Sequence, residues 1–559
     1  MSRQSPGRRW WREAEFALVL VLACAAYLPR LGELPARGEE PRRAQVACEL
    51  VSRHDWLVPR EQGEPFLSRP PAQNWLIATT CLAVGSWEEW AIRLPSALAT
   101  VLLTLLIYGY ARTGLSRVGA LAAALAFATL GEMFPTGRQA ESEAVFILFL
   151  GGALLAWHWA WLRGRPALAW AAGYVLMALA ALTKGGPQPP VYFVGSVTAY
   201  LVLTRQWRRL LTRAHLAGAL LGVAVIAAWA VPYYFDQGWD NLRALWMGDT
   251  ASRFEEWKLS EVVLHLASYP LEVLGCTAPW SLLLLAYLGG GLRRSLGEAR
   301  PQAVFAAVCV GLAFPSCWLP PGGQTRYLTP IYPCLAVLIG AVVERCGAAA
   351  AAPELRAGWR WYLRATTALA AGTAAFLAAT PWLSHPWLAG WAAPPGRTLA
   401  YVVACLALAG LIAWAGRAAR VRLAVVALAC FMVLLFVGVL ADVRLRRTED
   451  TAAAVRRLKE RLPPGAGLVS LGHIDAIFAY HYGEPIPALA GRYDGVALAA
   501  GQYFCVDGLG NTPLRLPFAW EPVAALSMDR NRHERPDRLV VVGRRLPPGS
   551  PPASLSASR

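Results

Sequence analysis

Long apolar runs recur along the chain from Ala14 to Leu440, parted by short polar segments, and then stop. A bilayer core takes roughly 20 residues of helix. The pattern predicts spans near 14–28, 94–111, 118–134, 144–161, 167–183, 188–203, 215–234, 271–288, 302–318, 328–343, 363–380, 399–415 and 422–440, about thirteen in all. The stretch from Ala72 to Trp90 starts apolar but is broken by Gly85 and closed by SWEEW. It is expected as a re-entrant or interfacial helix, because a full crossing would move every later basic loop to the other side of the membrane. The fold class is therefore mainly α and polytopic, with a long structured first external loop at 28–93 and a membrane domain at 1–441.

Beyond Leu440 the composition changes. The segment TEDTAAAVRRLKERL reads as a helix with Thr448 or Asp450 as its cap. Short β-rich runs follow at 467–471, 502–506 and 538–542. Residues 442–545 are expected to form a small α/β domain, and 546–559, LPPGSPPASLSASR, a disordered tail.

Of 559 residues 56% are hydrophobic and the formal charge is +17. The basic residues sit in short loops such as ARTGLSR, LRGRP, TRQWRRLLTRAH and LRRSLGEAR, which alternate with loops that include the acid-rich stretch 236–261. That distribution is an orientation signal rather than a nucleic-acid surface. It places the N-terminus in the cytoplasm and the C-terminal domain outside. No small-residue cleavage site follows the first apolar run, so that run is read as a retained helix. The eleven cysteines show no metal-ligand spacing and lie mostly in apolar segments. Cys48 and Cys505 both fall on the oxidising side, where a disulfide can form, although no spacing marks one.

Long loops without evident structure tend to carry function, and the loop from Gly38 to Trp75 is dense in charge and aromatics. Glu39 and Glu40 follow the outer end of the first helix; Glu141 and Glu143 lie on the same side at the mouth of another. Such carboxylates are ordinarily solvated, but two that converge can act as a base and a positioning group, or hold a cation. Arg69, Lys184, Arg253 and Arg326 all fall at external helix ends. Singly each reads as a snorkelling residue; as a set they suit a lipid-linked phosphate. Trp56, Phe66, Trp75, Trp87, Trp90 and Trp257 serve as an interfacial belt or as sugar-stacking surfaces.

The ordered motifs GEEPRRAQVACELVSRHDWLVP, EPFLSRPPAQNWL, WAIRLPSAL, GRQAESEAVFILF, LTKGG and RYLTPIYPCLAVLIG resemble, over about residues 14 to 345, the lipid-phosphate-sugar-dependent GT-C glycosyltransferases. The groups resembled are the bacterial protein O-mannosyltransferase-like enzymes and the lipid A aminoarabinose transferases. The resemblance puts Glu39–Glu40 at the family's Asp-Glu pair, with Glu39 as the acceptor-activating base. It puts Glu143, five residues after Arg138, at a second acidic position. The family's Glu-Lys-Pro-Pro becomes Ser68-Arg69-Pro70-Pro71, so the cation survives as Arg69 and the acidic metal-ligand position does not. Asp249 and Thr250 stand where some members carry a histidine before Arg253-Phe254. The zinc ligands of the aminoarabinose branch are thus unmatched, and a divalent cation is left open. Arg69, Arg253 and Tyr327, with Lys184 and Arg326, are the implied contacts to the donor phosphate.

The resulting expectation is an inverting transferase of the bacterial inner membrane, moving a sugar from a polyprenyl-phosphate donor to a lipid A, glycan or protein acceptor on the periplasmic face. A lipid or glycan flippase is the rival from another class. It requires charges near the midplane of the spans and repeated halves, whereas the charges here gather at helix ends. A catalytically inactive lipid-phosphate-binding relative is the third reading.

Overall fold

A computed structural model describes residues 10–251, 257–347, 351–383, 385, 388, 390–448, 450–489, 498–509, 514, 516–528 and 538–547. The chain is a mainly helical multi-span membrane protein with a small C-terminal mixed sheet. It packs into two compact units, one of residues 1–31, 67–73 and 93–441, the other of 32–66, 74–92 and 442–559.

Among the described residues, eight helices are long and apolar enough to cross a membrane: Glu89–Ala111, Glu143–Leu162, Pro166–Lys184, Arg213–Met247, Gly297–Trp318, Thr325–Cys346, Pro395–Arg417 and Val421–Arg447. Eight rather than thirteen qualify, for local reasons. The first apolar helix is Ala14–Tyr27 and the third is Arg117–Ala128, both shorter than a span. The expected span at 118–134 ends at Thr129 and resumes only as the five-residue helix Met133–Gly137. That at 271–288 is split at Ala278–Pro279 into Leu259–Thr277 and a 3₁₀ segment Trp280–Leu288. Gln188–Leu203 has 16 residues, and Pro353–Ala379 carries Arg356, Arg360 and Arg364 along its first half. Helix Ala72–Val84, 13 residues long, stops at Gly85, whose φ of +67° lies in the left-handed region. At 1.5 Å per residue it covers about 20 Å, short of a hydrocarbon core.

Small residues let the spans approach closely. Gly340, on the helix Tyr332–Cys346, lies so near helix Arg117–Ala128 that a Cβ there would meet the Gly119 carbonyl oxygen and the Ala123 Cβ. Two polar side chains within the bundle show the pairing that lipid demands. His158 sits between the hydroxyls of Tyr110 (2.6 Å) and Tyr200 (3.2 Å), and Arg138 donates to the carbonyls of Ala26 (2.9 Å) and Pro29 (2.6 Å) at the end of the first helix.

The second unit joins the first loop to the C-terminal segment. Helix Glu40–Ser52 leads into a turn in which Asp55 Oδ1 accepts from the N–H groups of Leu57 and Val58, both at 3.1 Å. A hairpin of β1 (Arg60–Glu61) and β2 (Glu64–Pro65) turns through Gln62 and Gly63 with φ of +52° and +88°, the signature of a two-residue hairpin turn. Glu49 takes both turn N–H groups. The sheet comprises β3 (Leu468–Leu471), β4 (Ala488–Leu489), β5 (Tyr503–Leu509), β6 (Trp520–Ser527) and β7 (Arg538–Arg545), in the order β4-β3-β5-β7-β6. β3 runs parallel to β4 and β5, while β7 is antiparallel to β5 and β6.

Alternation along the strands buries both faces. Cys505, Val540 and Val542 face the helices Thr451–Arg461 and Ala476–Tyr482, and Phe504, Val506 and Val541 face Trp520 on the other side. Of the two expected caps Asp450 is the one used, accepting from Ala453 N–H at 3.0 Å. All eleven cysteines are free thiols, Cys48 and Cys505 included. The tail beyond 547 and the candidate Arg253 lie outside the described residues.

Candidate active site

The order of the spans carries several predicted residues to one end of the first unit. Helix Glu143–Leu162 turns at Arg163–Arg165 into helix Pro166–Lys184, so Glu143 and Lys184 stand at the open end of a helical hairpin. A carboxylate at a helix N-terminus and an ammonium at a C-terminus each meet a favourable dipole. Here they also meet each other: Lys184 Nζ lies 3.1 Å from Glu143 Oε1, with the side chains 5% and 10% exposed. Gly185, with a φ of +72°, lets the chain leave this helix, and a Cβ there would stand 2.9 Å from the Leu245 carbonyl oxygen.

Around this pair lie further candidates. Lys184 Nζ is 5.2 Å from the ring centres of both Phe146 and Tyr327. The Arg326 guanidinium lies 5.7 Å from the Tyr327 ring, and its Nη1 is 3.9 Å from Glu141 Oε2. Gln188 Nε2 donates to the Tyr327 carbonyl at 2.6 Å and fixes that segment. Arg69, Lys184, Gln188, Tyr192 and Tyr327 line a cavity of about 200 Å³ whose other walls are largely apolar, among them Leu245, Trp246 and Pro320. Arg69 Nη1 donates to the carbonyl of Ser68 at 3.2 Å. The first unit thus gathers Arg69, Lys184 and Tyr327 on one cavity, and brings Glu143 and Arg326 to the same cluster. It also places Glu132 there, which sequence reasoning missed. Glu132 takes a hydrogen bond from the Cys276 thiol and lies within the electrostatic reach of Arg326 and Glu143.

Glu39 and Glu40 belong to the second unit. Glu40 is fully buried, and its Oε2 accepts the Arg37 N–H at 2.9 Å, closing the turn that leads into its helix. Glu39 is half-exposed and paired with Arg42 at 3.2 Å. Arg42 Nε in turn bonds Glu61 Oε1 at 2.8 Å, and His473 Nε2 stands 3.6 Å from that same oxygen. Burial pushes the Glu61 carboxyl up, but the contact with His473 and the charge of Arg42 outweigh it and hold it below its ordinary value. The contact with the Glu61 carboxylate raises the His473 imidazole, against its partial burial. Glu39, Arg42, His473, Asp475 and Asp507 share a cleft of about 420 Å³. Neither Glu61 nor His473 was a candidate from sequence. Among the described residues no group of three or more His, Cys, Asp or Glu is placed to hold a metal ion.

Residues 68–231 match the family model described as dolichyl-phosphate-mannose-protein mannosyltransferase. The undecaprenyl phosphate-alpha-4-amino-4-deoxy-L-arabinose arabinosyl transferase of Edwardsiella ictaluri is 25% identical over 340 residues, 59% of this chain and 59% of that one. Its counterpart in Pseudomonas aeruginosa strain UCBPP-PA14 is 29% identical over 320 residues, 55% of each chain. The chain therefore spans somewhat over half the length of the curated relatives it matches. The fold extends further than the sequence match. The crystal structure of ArnT from Cupriavidus metallidurans bound to undecaprenyl phosphate superposes with a TM-score of 0.66 at 19% identity, covering 94% of this chain and 97% of that one. In sequence and in fold the chain is similar to lipid-phosphate-dependent glycosyltransferases of the GT-C type.

Proposed function

We propose that the protein is a membrane glycosyltransferase that takes a sugar from a polyprenyl-phosphate donor and passes it to a lipid A, glycan or protein acceptor at the periplasmic face of a bacterial inner membrane, with the N-terminus cytoplasmic. The observation that carries this reading is the gathering of Arg69, Lys184 and Tyr327 on one cavity at the open end of a buried helical hairpin, with Arg326 against the Tyr327 ring. A lipid phosphate needs fixed cations where its charge develops, and an apolar wall for the chain attached to it.

In this reading Arg69 and Lys184 hold the phosphate oxygens, Tyr327 and Arg326 complete the cradle, and Arg253 joins them as the resemblance implies. Glu143 fixes Lys184 in place. Glu39 takes the base role, and Glu40 anchors the turn that presents it. The acceptor's hydroxyl or amine attacks the anomeric carbon and gives its proton to the Glu39 carboxylate. The bond from that carbon to the phosphate oxygen breaks with inversion, and polyprenyl phosphate leaves with the electron pair. A divalent cation has no assigned place in these steps.

The test uses purified protein in liposomes supplied with a panel of polyprenyl-phosphate sugars, and measures released polyprenyl phosphate. Release by the wild type that falls at least about a hundredfold in Glu39→Gln is expected, the scale of a lost general base. No release from any donor, or full release by Glu39→Gln, overturns the assignment.

A further inference from the structure

We propose that His473 is a positioning residue for Glu39, acting through Glu61 and Arg42; this rests on the base role given to Glu39 above. The four side chains form a continuous line. Glu39 Oε2 is 3.2 Å from Arg42 Nη1, Arg42 Nε is 2.8 Å from Glu61 Oε1, and that oxygen is 3.6 Å from His473 Nε2. Glu61 is the buried centre, 10% exposed, while Glu39 and His473 are about half in solvent.

The backbone on either side of the line is clamped. Gln62, next to Glu61, gives its Nε2 to the Ile474 carbonyl at 2.7 Å and takes the Ile474 N–H at 2.9 Å. On the far side of the turn the Asp475 N–H donates to Asp507 Oδ1 at 3.0 Å, and Asp475 Oδ1 accepts the N–H of Ile477 at 2.8 Å. His473 is thus carried by a fixed turn and not by a wandering loop. The charged groups that face it are Glu61 and Arg42 from the first loop, Asp475 from its own turn and Asp507 from β5.

The coupling follows from sharing one carboxylate. When His473 carries a proton it takes part of the Glu61 charge, and Arg42 is left to hold Glu39 in a fixed rotamer. When His473 is neutral, Glu61 draws on Arg42 alone, and the hold on Glu39 loosens. The C-terminal domain thereby contributes to transfer without touching a reactant.

The experiment uses the full-length protein in liposomes with a donor that the wild type turns over, and follows kcat and KM from roughly pH 5.5 to 9 for wild type, His473→Gln and His473→Lys. Wild-type kcat is expected to fall as pH rises through the raised His473 pKa. In His473→Gln, kcat at the acid end should drop about threefold to tenfold, the worth of one modest hydrogen bond, with donor KM unchanged and that limb of the profile gone. His473→Lys, which keeps a cation against Glu61, should hold the acid-end rate to higher pH; should His473→Gln fail to fold, this variant decides alone. A wild-type limb retained in the variants, or a loss spread evenly over all pH and shared by KM, overturns the positioning role while leaving the transferase reading intact. A wild type that releases no polyprenyl phosphate from any donor overturns both.

Discussion

The pair Glu143–Lys184 gives the sharpest prediction. At 3.1 Å, with both side chains nearly out of solvent, it differs in kind from an exposed ion pair, which contributes only about 0.2–1 kcal/mol. Removing one partner leaves an unpaired ion in a low-dielectric setting, at a cost of about 3–5 kcal/mol. Removing both, by Glu143→Gln with Lys184→Met, leaves neither partner's charge uncompensated and is expected near neutral. The double-mutant cycle should therefore show a coupling of about 3 kcal/mol or more. The assay is equilibrium unfolding in mixed micelles along a series of denaturing detergent, read by tryptophan emission for the wild type, both singles and the double. A coupling under about 1 kcal/mol, the range of exposed pairs, would refute the claim that the pair is buried and mutually required. The double variant also separates two roles of Lys184, since recovered stability should not bring back binding of polyprenyl phosphate.

Two further outcomes are expected. Gly185→Ala, placing a Cβ 2.9 Å from the Leu245 oxygen at a φ of +72°, should destabilise by about 1–2 kcal/mol and weaken donor binding, as judged by unfolding and by lipid displacement. In the second unit the Glu61–His473 contact should make stability depend on pH in both directions. The His473 part is present below its ordinary value of 6.5 and is lost as pH rises through its raised folded value; the Glu61 part is present above 4.5 and is lost as pH falls through its lowered one. Stability should thus peak between about 4.5 and 6.5 from this pair, by well under about 1 kcal/mol since His473 is half-exposed. Hydrogen exchange of the first-loop amides across pH checks it, and a monotonic profile would count against the pairing.

Much of the membrane fold was legible because apolar runs and their breaks are local. Of the expected spans, 144–161, 167–183 and 399–415 fall inside single helices. The failure at 271–288 came from reading hydropathy over Pro279, a residue that removes a donor and ends a helix. In the C-terminal sheet β3, β5 and β7 were visible as β-rich runs, whereas β6 was missed. Its sequence WEPVAALS carries Pro522, which argues against a strand, and the register shift between Pro522 and Ala524 is how the sheet takes it in. The candidate cations at 69, 184 and 326 could be named from position, but not that Lys184 would turn to Glu143, 41 residues earlier. Glu61 and His473 were out of reach altogether, since neither sits in a motif and nothing local marks their meeting.

The clamp between Gln62 and Ile474 joins residues 412 positions apart, and that separation sets a schedule for synthesis. At about 5–20 residues per second, the first loop emerges from the ribosome roughly 20–80 s before the turn that completes it. Throughout that interval Glu61 has Arg42 for company but no imidazole, and the hairpin at Gln62 has no carbonyl to bind. A chain cut short before residue 474 would carry all eight candidate spans and still lack this clamp. Completion of the loop is thereby tied to synthesis of the turn at residue 474, beyond the last candidate span.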